Sequence, residues 1–312
     1  MNKEKDYINI INEIFNFKDD KNVIIGIGDD AALVKGENHQ VICSDSIVEG
    51  VHFNLDYFSL EDVGWKSIVV NQSDIASMGG EPQFFTTSWG ITDKFNPNDI
   101  EMLANGMKMA CDNFGGIIIG GDIVKSETFF ISVSSVGSIK SLQNTMSRAS
   151  ALPGEKIGVT GALGNSVAGL KLLESGQVNK VLSRSHLRPE PQIQKGVSLA
   201  TNGVRCCMDI SDGLQNDLVN LCESSKVSVE INVQDIPISD ELKGQFADSF
   251  FDIAISGGED YELLFTFKDL PKKIMDSISV IGEVKESHLK QINYNFKNAL
   301  YTPKINPWRH FE

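Results

Sequence analysis

The chain has 312 residues, 41% hydrophobic and 22% charged, which is ordinary globular composition and more chain than one core usually holds. A formal net charge of −14 without a Lys/Arg cluster argues against a general nucleic-acid binder. No apolar run approaches the roughly 18–20 residues that cross a bilayer, and the polar start at residues 1–6 is not a signal peptide. Five cysteines with no C-x-x-C pair fit a reducing, cytoplasmic setting and neither a disulfide framework nor a zinc site.

Tyr7, Ile8, Ile11, Ile14 and Phe15 recur at helical spacing. Residues 23–27 and 41–43 read as short strands, 60–78 as a helix and 83–90 as a strand. Asn96 is a candidate N-cap with Pro97 at the first helical position, so a helix should run to about Phe114. Residues 116–120 and 128–139 return to strands. The pattern changes at 147–153, and the expected division is into domains 1–148 and 149–312. The second half repeats the style of the first. A strand at 156–160 leads through a Gly-rich turn to a helix near 167–174. A helix follows Pro191, a strand covers 206–210, a helix starts at Asp212, and strands lie near 227–233 and 262–267. Mixed strands and helices in both halves imply an α+β or α/β architecture.

Several acids share one local grammar. GDDA at 28–31, SDS at 44–46, Ser73-Asp74, GGD at 120–122, DISDG at 209–213 and GGED at 257–260 each join an acid to Gly, Ser or Ala. Each is expected where a strand gives way to a turn or a helix begins. Small neighbours let backbone approach a ligand, and carboxylates gathered at strand ends suit Mg²⁺, which binds a few carboxylates together with phosphate oxygens. A single such Asp is explained by turn and cap preferences alone; six with the same neighbours are not. The G-x-G-x-x-A match at 26–31 is not a dinucleotide loop, because two aspartates would oppose a pyrophosphate and no helix follows. No P-loop and no H-E-x-x-H occurs. Among the five histidines, His52 alone keeps acidic company, and His186 opens a Pro-rich turn.

Taken in order, GIGDDAAL (26–33), SDSIVEGVHF (44–53), NQSDIASMG (71–79), GGD (120–122), Ser147-Arg148, GALGNSVAGL (161–170), HLRPEP (186–191), DISDGL (209–214) and SGGEDYEL (256–263) resemble the thiamine-monophosphate kinase family. The resemblance implies the two-domain fold of aminoimidazole ribonucleotide synthetase, with N-terminal sheets pairing across a homodimer and ATP bound nearby. It implies Asp30, Ser44, Asp45, Asp74, Asp122, Asp209 and Asp212 as Mg²⁺ ligands, Ser44 partly through its backbone oxygen. Gly121, Asp122, Arg148 and Ser211 become ATP contacts, and His52, Glu259 and Trp308 acceptor-site residues. A guanidinium fork at Arg148 suits phosphate oxygens, and the indole of Trp308 suits a thiazolium cation. The chain departs from the family pattern at Cys43, where a hydroxyl is common, and at Arg309, where an acid is common.

The implied reaction is ATP plus thiamine monophosphate giving ADP and thiamine diphosphate by direct in-line transfer, without a phosphoenzyme or a strong general base. The alternatives are another ATP-using member of the superfamily and a non-catalytic nucleotide-binding subunit. A selenophosphate synthetase should carry a reactive cysteine near its start, and here the first is Cys43. A hydrogenase-maturation member should end in a cysteine, and this chain ends Phe311-Glu312.

Overall fold

The computed structural model describes residues 10–11, 13–15, 23–25, 33–34, 39–286 and 291–305. Two compact units divide the chain: Met1–Ile75 with Gly80–Lys140, and Ala76–Gly79 with Ser141–Glu312.

In the first unit, β1 (Val23–Ile25) and β2 (Leu33–Val34) form a small antiparallel pair. The main sheet contains β3 (Gln40–Val48), β4 (Glu81–Ile91), β5 (Ile117–Lys125) and β6 (Phe130–Ser138) in the order β3-β6-β4-β5. Helices α1 (Leu60–Ser77) and α2 (Pro97–Phe114) complete it. β4 and β5 are parallel, so α2 is the crossover that parallel neighbours require. The Asn96 side chain accepts the backbone N–H groups of Asn98 and Asp99, and Asp99 reciprocates toward the Asn96 N–H. This capping box contributes on the order of 1 kcal/mol to the start of α2.

α1 is covered on nearly every side: Val63, Lys66, Ile68, Val69, Asn71, Gln72, Ser73 and Ile75 are fully buried. It meets α2 backbone to backbone. A Cβ on Gly64 would lie 2.1 Å from the Leu103 carbonyl oxygen, and one on Gly106 would lie 2.0 Å from that of Glu61. Buried polar groups on α1 answer one another locally. Ser67 donates to the Gly64 carbonyl, Asn71 Nδ2 to the Ser67 carbonyl, and Gln72 Nε2 to the Gly115 carbonyl.

The second unit is built on a seven-stranded sheet. In chain order it contains β7 (Lys156–Val159), β8 (Cys206–Asp209), β9 (Ser228–Asn232), β10 (Leu263–Phe267), β11 (Ser279–Lys285), β12 (Ile292–Phe296) and β13 (Ala299–Tyr301). The spatial order is β13-β12-β9-β11-β7-β10-β8, antiparallel except for the β12–β9 pair. Its helices are α3 (Asn165–Glu174), α4 (Lys180–Leu187), α5 (Ile193–Thr201), α6 (Leu214–Ser225), α7 (Asp240–Gln245), α8 (Phe250–Ser256) and α9 (Lys272–Met275). β10 reads LLFTF and is buried at all five positions, as a strand flanked on both edges should be. The main core joins Val159, Met208, Leu218, Val229, Leu264 and Ile281. A smaller one joins Ala168, Leu172, Leu182, Leu242 and Ile253.

The largest departure from the sequence reading is β3. It runs from Gln40 to Val48, far beyond residues 41–43. Its second half, Ser44-Asp45-Ser46, lacks the apolar alternation that marks a strand, because both faces of that stretch carry polar side chains. Helices α4, α7, α8 and α9 and the strands β11 to β13 were not expected. No described helix is long and apolar enough to cross a membrane, and the five cysteines are free thiols.

Candidate active site

Asp45 and Asp74 come together in the first unit. Asp45 sits mid-strand on β3 and Asp74 in the last turns of α1, so neither occupies the strand-end or helix-start position expected for it. Their carboxyl groups are hydrogen-bonded to each other. Burial raises the Asp45 carboxyl above its ordinary value, opposed by the bond to Asp74 and by the His52 charge. Cys43, one pleat repeat before Asp45, has its thiol 2.9 Å from Ser135 Oγ and is pushed up to about 12, first by burial and then by both aspartates. Cys43 is therefore a neutral thiol packed beside the pair.

His52 lies on a turn that folds back on the end of β3. The Val48 N–H donates to His52 Nδ1 at 3.1 Å, and the His52 N–H donates to the Val48 carbonyl at 2.9 Å. A ring whose Nδ1 accepts carries its proton, when neutral, on Nε2. Lys66 fixes the same turn from below. It is fully buried on α1, donates to the His52 carbonyl at 2.9 Å, and stands 5.3 Å from the Phe58 ring centre. Phe58 leads a chain of edge-to-face rings, Phe58 to Phe53, Phe53 to Phe129 and Phe129 to Phe95. Sequence reasoning missed Lys66, because a lysine in a helix reads as surface.

Asp122 is not brought to this pair. Cross-strand partners share a sheet face, and the row through Asp45 is Asp45, Val133, Thr87 and Gly121. Asp122 pairs with Ser88 one residue on, so it lies on the opposite, exposed face. It is also three strand spacings away, about 14 Å. The Ser44 hydroxyl lies on that outer face too, where it donates to the Val133 carbonyl at 3.0 Å. Gly121 is a glycine for a local reason: a Cβ there would sit 2.0 Å from the Thr87 carbonyl oxygen.

In the second unit, Asp209 ends β8 and Asp212 precedes α6, close to where the sequence put them. The loop between them is gripped from two sides. Asn216 Nδ2 donates to the Asp212 carbonyl, and the Asp212 N–H donates to the carboxyl of Asp217. Asp217 is buried, and burial raises its carboxyl well above the ordinary range, helped by Asp209 and Asp212 and opposed by Arg148. Among the described residues, its Oδ2 has no hydrogen-bond partner. Asp217 was not singled out from sequence, although it lies five residues after Asp212. Arg148 is exposed, and its carbonyl accepts the Ser225 hydroxyl at 2.8 Å.

The loop carrying Glu259 interlocks with this one. The Glu259 N–H donates to the Ser211 carbonyl at 2.7 Å and the Tyr261 N–H to that of Ile210 at 2.9 Å. Gly213, at φ +96°, leaves no room for a Cβ, which would meet the carbonyl oxygens of Gly257 and Ser256 at 2.8 and 2.9 Å. Glu259 and Tyr261 both have left-handed backbone, φ 63° and 53°. Between them Asp260 accepts the N–H groups of Gly164 and Ser166 and so caps α3. Of the remaining expected positions, Asp30 and Trp308 lie outside the described residues.

Among the described residues, no three His, Cys, Asp or Glu side chains close around one point as a ready-made metal cage. The Asp45–Asp74 pair still has the chemistry of a divalent-cation site. Two carboxyl groups within hydrogen-bond reach share a proton unless a cation replaces it. Mg²⁺ needs no more than one or two carboxylates when phosphates supply the other oxygens.

These two units correspond to a known pair of domains. Residues 28–139 match the AIR synthase related protein N-terminal domain, and residues 153–294 the corresponding C-terminal domain. The chain is 34% identical to the thiamine-monophosphate kinase of Bacillus subtilis (strain 168) over 282 residues, covering 85% of this chain and 86% of that one. Its fold matches the crystal structure of thiamine-monophosphate kinase from Stenotrophomonas maltophilia K279a with a TM-score of 0.82 at 27% identity, over 94% and 96% of the two chains. It matches AaThiL complexed with AMPPCP and TMP with a TM-score of 0.78 at 32% identity, over 97% and 96%. The class is thus the two-domain fold of AIR synthase related proteins. Within that class, the chain belongs to the thiamine-monophosphate kinase family.

Proposed function

We propose that the chain transfers the γ-phosphoryl group of ATP to the phosphate of thiamine monophosphate, giving ADP and thiamine diphosphate. The observation that carries this reading is family membership over most of the chain, together with carboxylates at Asp45, Asp74, Asp209 and Asp212 in the motifs that mark the family. A relative of the same fold is complexed with AMPPCP and TMP, a nucleotide analogue beside a second ligand.

A phosphate oxygen of the acceptor attacks the γ-phosphorus in line. The bond from that phosphorus to the bridging oxygen breaks with its electrons going to ADP. A phosphate monoester is largely ionised at neutral pH, so the chain need supply no strong base. Its task is alignment and charge neutralisation. Asp30, Asp45, Asp74, Asp122, Asp209 and Asp212 would hold Mg²⁺, with Ser44 as a supporting contact, partly through its backbone oxygen. Mg²⁺, when bound, neutralises phosphate charge. Arg148 pairs with phosphate oxygens, and Gly121 and Ser211 contact ATP through backbone and hydroxyl. His52 offers its Nε2 proton to the acceptor. Glu259 and Trp308 would complete the acceptor site, the indole suiting a cationic ring.

Domains 1–148 and 149–312 divide this work, the first also forming a homodimer. The outer face of the β3-β6-β4-β5 sheet supports pairing. It is exposed, carries the short side chains of Ser44, Ser46, Ser134, Thr86 and Ser88, and leaves Ile42 71% exposed. In that arrangement Asp122, which faces away from Asp45 of its own sheet, serves the partner's site.

The test is an ATP-dependent assay on the purified chain with Mg²⁺ and, in parallel, thiamine monophosphate, thiamine and the aminoimidazole precursor. Conversion of the first alone is expected. Conversion of another acceptor alone, or of none, would overturn the reading.

A further inference from the structure

His186 stands behind Glu259 without a part in the reading above. It is the penultimate residue of α4 and only 3% exposed, although the Pro189 that follows made the segment read as a turn. Its Nδ1 lies 3.1 Å from Ser166 Oγ and 3.4 Å from Glu259 Oε2. We propose that His186 is a positioning residue for the acceptor: it holds the Glu259 carboxylate in its binding orientation, with Ser166 fixing the ring. This rests on the reading of Glu259 as an acceptor-site residue.

A carboxylate only accepts hydrogen bonds, so Nδ1 carries a proton, and that one proton lies between two acceptors, the Ser166 hydroxyl oxygen at 3.1 Å and Glu259 Oε2 at 3.4 Å. The ring is set by an unusually fixed neighbour. Ser166 is fully buried in the first turn of α3, and its N–H donates to Asp260 Oδ1 at 3.2 Å. The residue next to Glu259 is therefore tied to the same helix turn that holds the histidine. Left-handed backbone is costly for residues with side chains and persists where the surroundings over-determine it, commonly at ligand sites. Here Glu259 and Tyr261 both adopt it, pinned through Ser211 and Ile210. The backbone fixes where the Glu259 side chain starts, and His186 fixes where its carboxylate ends. The Glu259 side chain is 27% exposed, so one side reaches solvent while another meets the buried ring. A carboxylate held in this way offers a fixed negative charge to the cationic thiazolium or the amino group of the acceptor. Left to rotate, it would bind the acceptor less well and change nothing at ATP.

The test measures KM for thiamine monophosphate, KM for ATP and kcat in His186→Leu, His186→Asn, Ser166→Ala and Glu259→Ala, and in the His186→Leu/Glu259→Ala double variant, each in a preparation whose melting shows it folded. His186→Leu is expected to raise the acceptor KM about tenfold, the effect of losing one polar contact to a charged group, with ATP KM unchanged. His186→Asn, which returns a donor near the Nδ1 position, is expected to recover most of that loss. In the Glu259→Ala background the same His186→Leu change is expected to add little, since the two act through one contact. If His186→Leu does not fold, Ser166→Ala answers the question by a smaller rise confined to the acceptor KM. An equal effect of His186→Leu with and without Glu259, or a parallel loss for ATP, or an unchanged acceptor KM in Ser166→Ala when that variant is the one read, would overturn the proposal. An unchanged acceptor KM in Glu259→Ala would instead overturn the reading of Glu259 and the proposal with it.

Discussion

Replacing Asp260 with asparagine should change how the stability of the chain depends on pH. The Asp260 carboxyl accepts Gly164 N–H at 2.6 Å and Ser166 N–H at 3.2 Å, yet burial pushes it from 3.8 up to about 7, against those two bonds and with the charges of Glu262 and Glu259 adding to the shift. A rise of about three units corresponds to about 4 kcal/mol at 1.36 kcal/mol per unit. The side chain keeps some contact with solvent, which roughly halves this to about 2 kcal/mol. The folded chain holds this proton more tightly than the unfolded one. The contribution is therefore fully present below pH 3.8 and lost as pH rises through about 7. Asparagine does not ionise, and it keeps one oxygen for one of the two backbone donors, so the variant should be about 1 kcal/mol less stable than wild type at low pH, where Asp260 is protonated, and should overtake it above about pH 7, where Asp260 is ionised. Thermal melting of both proteins at pH 4.5 and pH 8 isolates the effect, because the other titrating groups cancel. The wild-type advantage should shrink by about 4–8 °C between the two. Parallel curves would refute the reasoning and show Asp260 to be an ordinary ionised cap.

Two further outcomes are expected. Asp45→Asn and Asp74→Asn should each cut kcat at least about a hundredfold, a loss of the size seen when a group that stabilises transferred charge is removed. Their melting temperatures should hold or rise, since each relieves two carboxyl groups crowded together; full activity in either would remove the pair from the site. Asp45→Asn and Asp122→Asn proteins, each inactive alone, should regain about a quarter of wild-type activity when unfolded and refolded as a mixture. Half of the resulting dimers are then mixed, and each mixed dimer has one intact site of two. No recovery would mean that Asp122 serves its own subunit.

Much of the fold could be read because it is local. The start of α2 is a cap and a proline, and the run of apolar residues through 60–78 is α1 almost to the residue. β3 escaped because Ser44, Asp45 and Ser46 interrupt the apolar alternation, and its strand character comes from pairing with β6, some ninety residues on. The motifs located Asp45, Asp74, Asp209 and Asp212 but not their faces. That Asp122 looks away from Asp45 depends on registers across four strands, which no local pattern encodes. Lys66, Asp217 and Asp260 are ionisable side chains that tertiary packing withdraws from solvent, wholly for the first two and partly for Asp260, and no local pattern marks that. His186 was visible as part of HLRPEP, but its meaning lies in a carboxylate 73 positions away.

The most direct measurement follows the phosphorus itself. With ATP labelled in the γ-phosphate and thiamine monophosphate as acceptor, the label should appear only in thiamine diphosphate, one for each ADP formed, with none on the protein. Label retained on the protein, or released as inorganic phosphate without diphosphate product, would contradict direct transfer between the two bound phosphates.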